Sequence, residues 1–482
     1  MKRKKILLAI LSVLSISLFP CFFLLFINVG TVVVSEALTS FAILTIMGLF
    51  LFGIMSVIFR EVNKAALLTN IILLFFNNFY FIEKGLVRIF PSLYYWHVLL
   101  ICVFIIIQTG IFIQERVNSY QCLQLVLGMS IIFSGLILFN GIRSIPDWIR
   151  LMNSSKKEKY QVEVIQQNSI SPIISKSSPN FYYFIFDEYG GYNNLLRYCN
   201  YDNSDFYESL EELGFNISIN STNGTIDTYT EIPNILQLQI VNKLEMTAVE
   251  KMQNFQDPQL LITMKDYGYH INAIDATNSK YIDFDYVDIG FSNSFASSYR
   301  TFASYIFLKT ALYPFWGKDD QNLEISQMES MFDYAESSST ISESNLFTIG
   351  YFVFPHIPYI VDEFGNRTST VDRNDLKNPE PYLSQLKYAN KKILELVMEI
   401  ISNDPNSIIV IQSDHGYRLP SHLHYWYGLS DYDLLVESPY ERNILNVVYY
   451  QNKNIEIEEL SGLETMRLVL RNLLGIHFID NN

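Results

Sequence analysis

Cysteine is scarce. The 482-residue chain has four, and three of them, Cys21, Cys102 and Cys122, sit in or beside apolar runs. Cys199 is left alone in the polar part, so no disulfide can brace that part, and a packed core and a bound metal must stabilise it. Basic charge is also sparse where nucleic acid would need it. Residues 1–150 hold eleven Lys and Arg against five Asp and Glu, but the rest of the chain holds 23 against 44. A surface that acidic repels phosphate backbones, which argues against nucleic acid as a partner. No internal repeat of roughly 20–50 residues is present, which argues against solenoids and propellers.

Apolar runs, by contrast, crowd the first third. Five stretches, roughly 6–28, 39–59, 66–82, 96–113 and 123–141, approach the ~20 residues needed to cross about 30 Å of hydrocarbon. The third is the weakest, because Asn77 and Asn78 interrupt it. Lys2, Arg3, Lys4 and Lys5 precede the first stretch and should stay cytoplasmic by the positive-inside rule. Five crossings then place Arg60, Lys64 and Arg116 inside as well. Lys84 and Arg88 fall outside, against the rule. The expected organisation is a transmembrane bundle of about five helices over 1–141, a Ser- and Pro-punctuated connector over 142–178, and a soluble domain over 179–482. This describes a multi-pass cell-membrane protein with its soluble domain extracytoplasmic.

From residue 180 onward, short apolar runs alternate with amphipathic segments. FYYFIF (181–186), HINAI (270–274), LFTIGYFVF (346–354), SIIVIQ (407–412) and ILNVVYY (444–450) read as strands. Helices are expected over 204–215, 257–268, 298–312, 381–403 and 463–474. The alternation predicts an α/β fold, a doubly wound and mostly parallel sheet. Such sheets bind ligands where the carboxyl ends of their strands open into loops.

Three strand ends carry reactive groups. FYYFIF is followed by Asp187-Glu188, LFTIGYFVF by His356, and SIIVIQ by Asp414-His415-Gly416. Carboxylate and imidazole suit Zn²⁺ or Mn²⁺. Alone, Asp-His-Gly also reads as a turn, but its place directly after an apolar strand favours a metal site. Thr228 opens an expected helix with Glu231 three residues on, the spacing of a capping box. Two readings stay open for Thr228: a helix cap, or a hydroxyl nucleophile held where free backbone N–H groups favour an anion.

FYYFIFDEYGGYNNL, LEELGFNISINSTNGTIDTYTEIPNILQL, FPHIPYIVDEFGN, YLSQLKYANKKILELV and IIVIQSDHGYR occur in this order. Over about 180–475 the chain thereby resembles the sulfatase-like branch of the alkaline phosphatase superfamily. More distantly, it is similar to lipoteichoic acid synthases and phosphoethanolamine transferases. The resemblance implies one divalent metal, manganese or zinc first and magnesium or calcium second. It would be held by Asp187, Asp414, His415 and the nucleophile Thr228, with Glu188 as a second carboxylate. His356, in a His-x-Pro motif, would touch the phosphoryl group, and Arg418, His422 and His424 would make further substrate contacts. The implied activity is transfer of a phosphoglycerol or phosphoethanolamine head group from a membrane phospholipid to a cell-surface glycan. The alternatives are a phosphodiesterase or phosphatase, a sulfuric-ester hydrolase, and an inactive binding module. No Cys or Ser stands in the C/S-x-P/A-x-R context of sulfatases, which disfavours sulfate esters. IDTYTEIPN also lacks the small residues usual near the nucleophile, which leaves Thr225 and Thr230 as lesser candidates.

Overall fold

A long apolar segment can satisfy its backbone in lipid only by pairing it internally, as a helix does, and helices fill the first third of the chain. In the computed structural model the described residues are 2–154 except 28, 30–33 and 91; 178–313 except 244, 245, 247, 278–280 and 294–301; and 321–478 except 342–344, 370–377, 420–438, 451–453 and 477. They form two compact units: a helical one (residues 1–156 and 298–319) and one built on a sheet (157–297 and 320–482).

The helical unit begins with α1 (Lys2–Ile27), α2 (Val34–Phe59), α3 (Val62–Asn77), α4 (Phe79–Ile89), α5 (Tyr95–Arg116) and α6 (Ser119–Ser154). Four stretches, Arg3–Ile27, Ala37–Phe59, Tyr95–Arg116 and Ser119–Pro146, are each long and apolar enough to cross a membrane. α3 and α4 meet at a bend of 64° and make a fifth span only if taken together. The bend falls where the asparagines interrupt the sequence. Asn77 turns its Nδ2 to the carbonyl of Ile16 (3.4 Å) and Asn78 turns its own to Leu74 (2.9 Å), competing with the helix for backbone partners. α6 runs on to Ser154, so the start of the expected connector is helical.

The segment expected as a sheet-domain helix over 298–312 departs from that reading. It contains a six-residue helix, Phe302–Phe307, that groups with the helical unit. Phe302, Ile306 and Phe307 are buried together with Cys21 of α1 and with Ala37 and Leu44 of α2. The apolar run FASYIF covers α1 and α2 instead of a sheet face.

The second unit contains β1 (Phe181–Phe186), β2 (Asn216–Ile217), β3 (His270–Asp275), β4 (Ile289–Ser292), β5 (Leu346–Phe352), β6 (Ile408–Ser413) and β7 (Asn446–Tyr450), in the sheet order β2-β7-β6-β1-β5-β3-β4. The five strands from β6 to β4 run parallel, and β7 and β2 close one edge antiparallel. Every residue of β1 is buried, as a central strand covered on both faces requires. Tyr183 donates to Gln412 Oε1 (2.9 Å), and Gln412 in turn reaches the carbonyl of Gly462 (3.2 Å), at the start of the Gly462–Leu474 helix. Phe186, on the opposite face, stacks on Phe332 of the Gln321–Ser337 helix. Helices therefore cover both faces, and the sheet is doubly wound. Two elements carry too little pattern to be read from sequence. β4 is short, half exposed and contains Gly290, and the Gln321–Ser337 helix buries Gln321 and Glu324 along its inward face.

Candidate active site

The register of β1 with its two parallel neighbours sets the site. Phe186 pairs with Phe352 of β5 and with Ser413 of β6, so Asp187 and Asp414 leave the sheet at the same level. His356 follows four residues after β5. Asp187 and His415 are then 3.7 Å apart (Oδ1 to Nε2), and His415 Nε2 is 3.5 Å from Asp414 Oδ2. The three side chains form a buried group with one ligand atom each, all within 4.8 Å of one another.

Thr228 joins this group. Its Oγ1 donates to Asp414 Oδ2 at 2.6 Å and lies 3.5 Å from His415 Nε2. It is free to do so because Asp227, and not Thr228, caps the Thr228–Leu236 helix: the Asp227 carboxylate accepts from Tyr229 N (3.3 Å), with its backbone extended. The capping box expected between Thr228 and Glu231 does not form, since Asp227 is the better placed acceptor. Glu231 instead accepts from the N–H (2.6 Å) and hydroxyl (2.7 Å) of Thr225. Thr230 Oγ1 donates to Asp227 (2.7 Å). Both lesser candidates thus have their hydroxyls committed elsewhere.

Glu188 is not in the three-residue group. It sits at φ 60, a left-handed turn unusual for a non-glycine residue. Its N–H is held by Asp414 Oδ1 (3.1 Å) and its carbonyl by the Tyr382 hydroxyl (2.9 Å). That turn sends its carboxylate to the backbone N–H of Arg418 (3.2 Å) and to Arg418 Nε (3.4 Å). His356 Nε2 lies 3.6 Å from Glu188 Oε2 and 3.2 Å from the Arg418 guanidinium. Asp187, Asp414, His415 and Thr228 therefore make one cluster, and Glu188, His356 and Arg418 a second beside it. His422 and His424 lie outside the described residues.

Electrostatics separates the two clusters. Burial pushes Asp187 and Asp414 above the usual carboxylate range, and the Asp414 charge adds to the effect at Asp187. Burial also drives His415 down to about 4, with Arg418 contributing. The ring is therefore neutral near pH 7. Its Nδ1 faces the carbonyl of Gly416 (2.8 Å), which puts the proton on Nδ1 and aims the Nε2 lone pair at the carboxylates. At Glu188 burial also opposes ionisation, yet Arg418, His356 and His415 together hold it below its ordinary value.

The first cluster suits a divalent cation. Asp187 Oδ1 is buried with no hydrogen-bond partner among the described residues, a costly state for a carboxylate oxygen unless a cation faces it. The separations of 3.5 and 3.7 Å are close to the ~3.4 Å between ligand atoms on a tetrahedral centre with bonds near 2.1 Å. Two supporting residues escaped sequence reading. The Tyr351 hydroxyl donates to Asp187 Oδ2 (2.8 Å), and Asn223 Nδ2 holds the carbonyl of Asp414 (2.7 Å) while its Oδ1 takes Gly462 N (2.9 Å). The Asn223-Gly224 pair was visible as a turn signal. Tyr351, inside an apolar strand, gave none.

No protein-family model matches the sequence, and no curated protein matches it. Solved structures do resemble it. The zinc complex of the C-terminal periplasmic domain of EptC from Escherichia coli is 13% identical with a TM-score of 0.44, covering 64% of this chain and 85% of that one. The lipooligosaccharide phosphoethanolamine transferase EptA from Neisseria meningitidis, an integral membrane protein, is 12% identical with a TM-score of 0.42, covering 96% and 95%. The lipoteichoic acid synthase LtaP from Listeria monocytogenes is 13% identical with a TM-score of 0.39, covering 64% and 74%. At such identities function has to be argued from the side chains themselves.

Proposed function

We propose that the chain is a metal-dependent phosphotransferase. It would move a phosphoglycerol- or phosphoethanolamine-type head group from a membrane phospholipid to an envelope glycan through Thr228. The observation that carries this is the Thr228 hydroxyl, 2.6 Å from Asp414 and beside a buried Asp-Asp-His group. A hydroxyl in that place, uncommitted to a cap, is placed to act as a nucleophile.

Asp187, Asp414 and His415 would hold the cation, zinc or manganese by their donor chemistry. When bound, it supplies the positive charge that lowers the hydroxyl pKa and screens phosphoryl oxygens. Thr228 Oγ gives up its proton and bonds to phosphorus, and the lipid's diacylglycerol oxygen leaves with a proton. The glycan hydroxyl then attacks the same phosphorus, and Thr228 regains its proton as the Thr–phosphorus bond breaks. Arg418 and His356 bind the non-bridging oxygens through both steps, with Glu188 orienting them.

Orientation follows from charge. α1 carries Lys2 through Lys5 at its start, and Arg60 and Lys64 lie together at the next turn on that side. If the α3–α4 pair crosses once, Arg116 returns to the cytoplasm and the sheet unit lies outside.

The test is mass spectrometry of full-length protein, reconstituted with manganese in vesicles of phosphatidylglycerol and phosphatidylethanolamine. A Thr228 peptide carrying phosphoglycerol or phosphoethanolamine as a phosphodiester is expected. Thr228→Ala should lose it, while Thr225→Ala and Thr230→Ala keep it. Unchanged turnover in Thr228→Ala would sink the assignment. Release of the head group to water without a glycan acceptor would make the protein a phosphodiesterase.

A further inference from the structure

The bend between α3 and α4 opens the helix backbone, and residues 309–311 close it. Tyr80 N donates to the carbonyl of Lys309 (3.2 Å), and Ala311 N to the carbonyl of Phe76 (3.0 Å). Beside this junction the helical unit has a partly open cavity of about 550 Å³, within the range of small-ligand sites. Its wall is largely apolar, with Phe19 and Phe23 of α1, Phe133 of α6 and Ile306 of the short helix. Its polar lining is confined to Asn77, Asn78, Lys309 and Thr310.

Two features of that lining stand out among the described residues. Asn77 Oδ1 is buried and accepts no hydrogen bond among the described residues. The Lys309 ammonium has no acidic group within ion-pair distance among them, and rests 4.5 Å above the Tyr80 ring. Lys84 approaches the same ring, at 5.5 Å. Glu83, the neighbouring acid, is bonded to the Tyr313 hydroxyl (2.6 Å). Lys84 is also the residue whose loop opposes the positive-inside rule. A cationic place at an outer interface needs an anion to justify it, and lipid phosphate is the anion abundant there.

We infer that the helical unit holds one membrane phospholipid, with an acyl chain in this cavity and the phosphate at Lys309. This rests on the reading of the chain as a membrane phosphotransferase and adds a holding site for its lipid class. With α1 starting in the cytoplasm, Phe19 and Phe23, the end of α3 and Lys309 all fall toward the outer leaflet, on the side where the sheet unit would work.

The test is native mass spectrometry of delipidated full-length protein titrated with phosphatidylglycerol, or with diacylglycerol bearing the same acyl chains. One phosphatidylglycerol per chain should bind more tightly than diacylglycerol. Lys309→Gln and Lys309→Glu should each weaken phosphatidylglycerol by on the order of tenfold and leave diacylglycerol unchanged, while Lys309→Arg keeps wild-type binding. Equal binding of the two lipids, or an unaltered Lys309→Glu, would overturn the site. If Lys309→Glu melts early, Lys309→Gln decides. Thr228→Ala should bind phosphatidylglycerol like wild type while forming no phosphoglyceryl adduct. A Thr228→Ala protein that still turned over would remove the proposed function and leave the lipid site standing.

Discussion

Asp187 turns one oxygen toward the Asp-Asp-His cluster and accepts from the Tyr351 hydroxyl with the other. Hydrogen bonds behind a metal ligand fix its orientation, and losing one costs about 10–100-fold in metal affinity. Tyr351→Phe should therefore lower manganese or zinc affinity of the purified protein by about tenfold without unfolding it. Asp414→Asn, which removes a charge from the cluster itself, should strip the metal, as read by elemental analysis. Glu231 offers a separate handle. Burial raises its pKa from 4.5 to about 7 in the folded chain, so the folded state holds the proton more tightly than the unfolded one. Stability is then lost as pH rises from about 4.5 through 7, by at most about 3 kcal/mol. Glu231→Gln keeps an oxygen for Thr225 and does not titrate. Its melting temperature relative to wild type should climb between pH 5 and pH 8, and a constant gap would show that Glu231 is not buried as a neutral acid. The contacts of Tyr351 and Glu231 could not be read from the letters alone. Asp187, Asp414 and His415 stood out because they follow apolar runs. The turn that parts Glu188 from Asp187 depends on a backbone angle, which no pattern in DEYGG reports.

Helix ends decide which hydroxyl is available. Asp227 caps its helix and also holds Lys251 (2.6 Å), whose side chain is 8% exposed. Asp227→Ala would remove the cap, worth about 1 kcal/mol, and strand a buried ammonium, costing about 1–3 kcal/mol more. Thermal melts should show a drop of several degrees, with Asp227→Asn intermediate because it keeps the cap and loses the ion pair. Elements with strong periodicity were legible: β1, β5 and β6 and the Glu380–Asn403 and Gly462–Leu474 helices lie within a few residues of where the apolar pattern puts them. The Phe302–Phe307 helix was legible as a helix but not by destination. An apolar run of that length suits a sheet face and a transmembrane groove equally, and only the fold chooses.

At the scale of the whole molecule, the number of crossings fixes the side on which the chemistry occurs. Five put the sheet unit outside, and four would put it in the cytoplasm. Phe364 is 73% exposed in the sheet unit. In a Cys199→Ser background, Phe364→Cys should react with a membrane-impermeant maleimide added to intact cells. Protection until the cells are lysed would reverse the topology and remove the access to an envelope glycan that the proposed function requires.

The central position of β1 also governs when the protein can become active. β1 is made early, yet its two neighbours are β5 (Leu346–Phe352) and β6 (Ile408–Ser413). A chain synthesised from its N-terminus carries β1 with both edges open until these later strands arrive. Asp187 therefore waits for Asp414 and His415, and no cation cluster exists on a partly made chain. On the proposed function, metal capture and nucleophile placement would be deferred until nearly all of the polypeptide has been made. The same delay leaves FYYFIF, an apolar strand unpaired on both sides, as the segment most in need of protection during export.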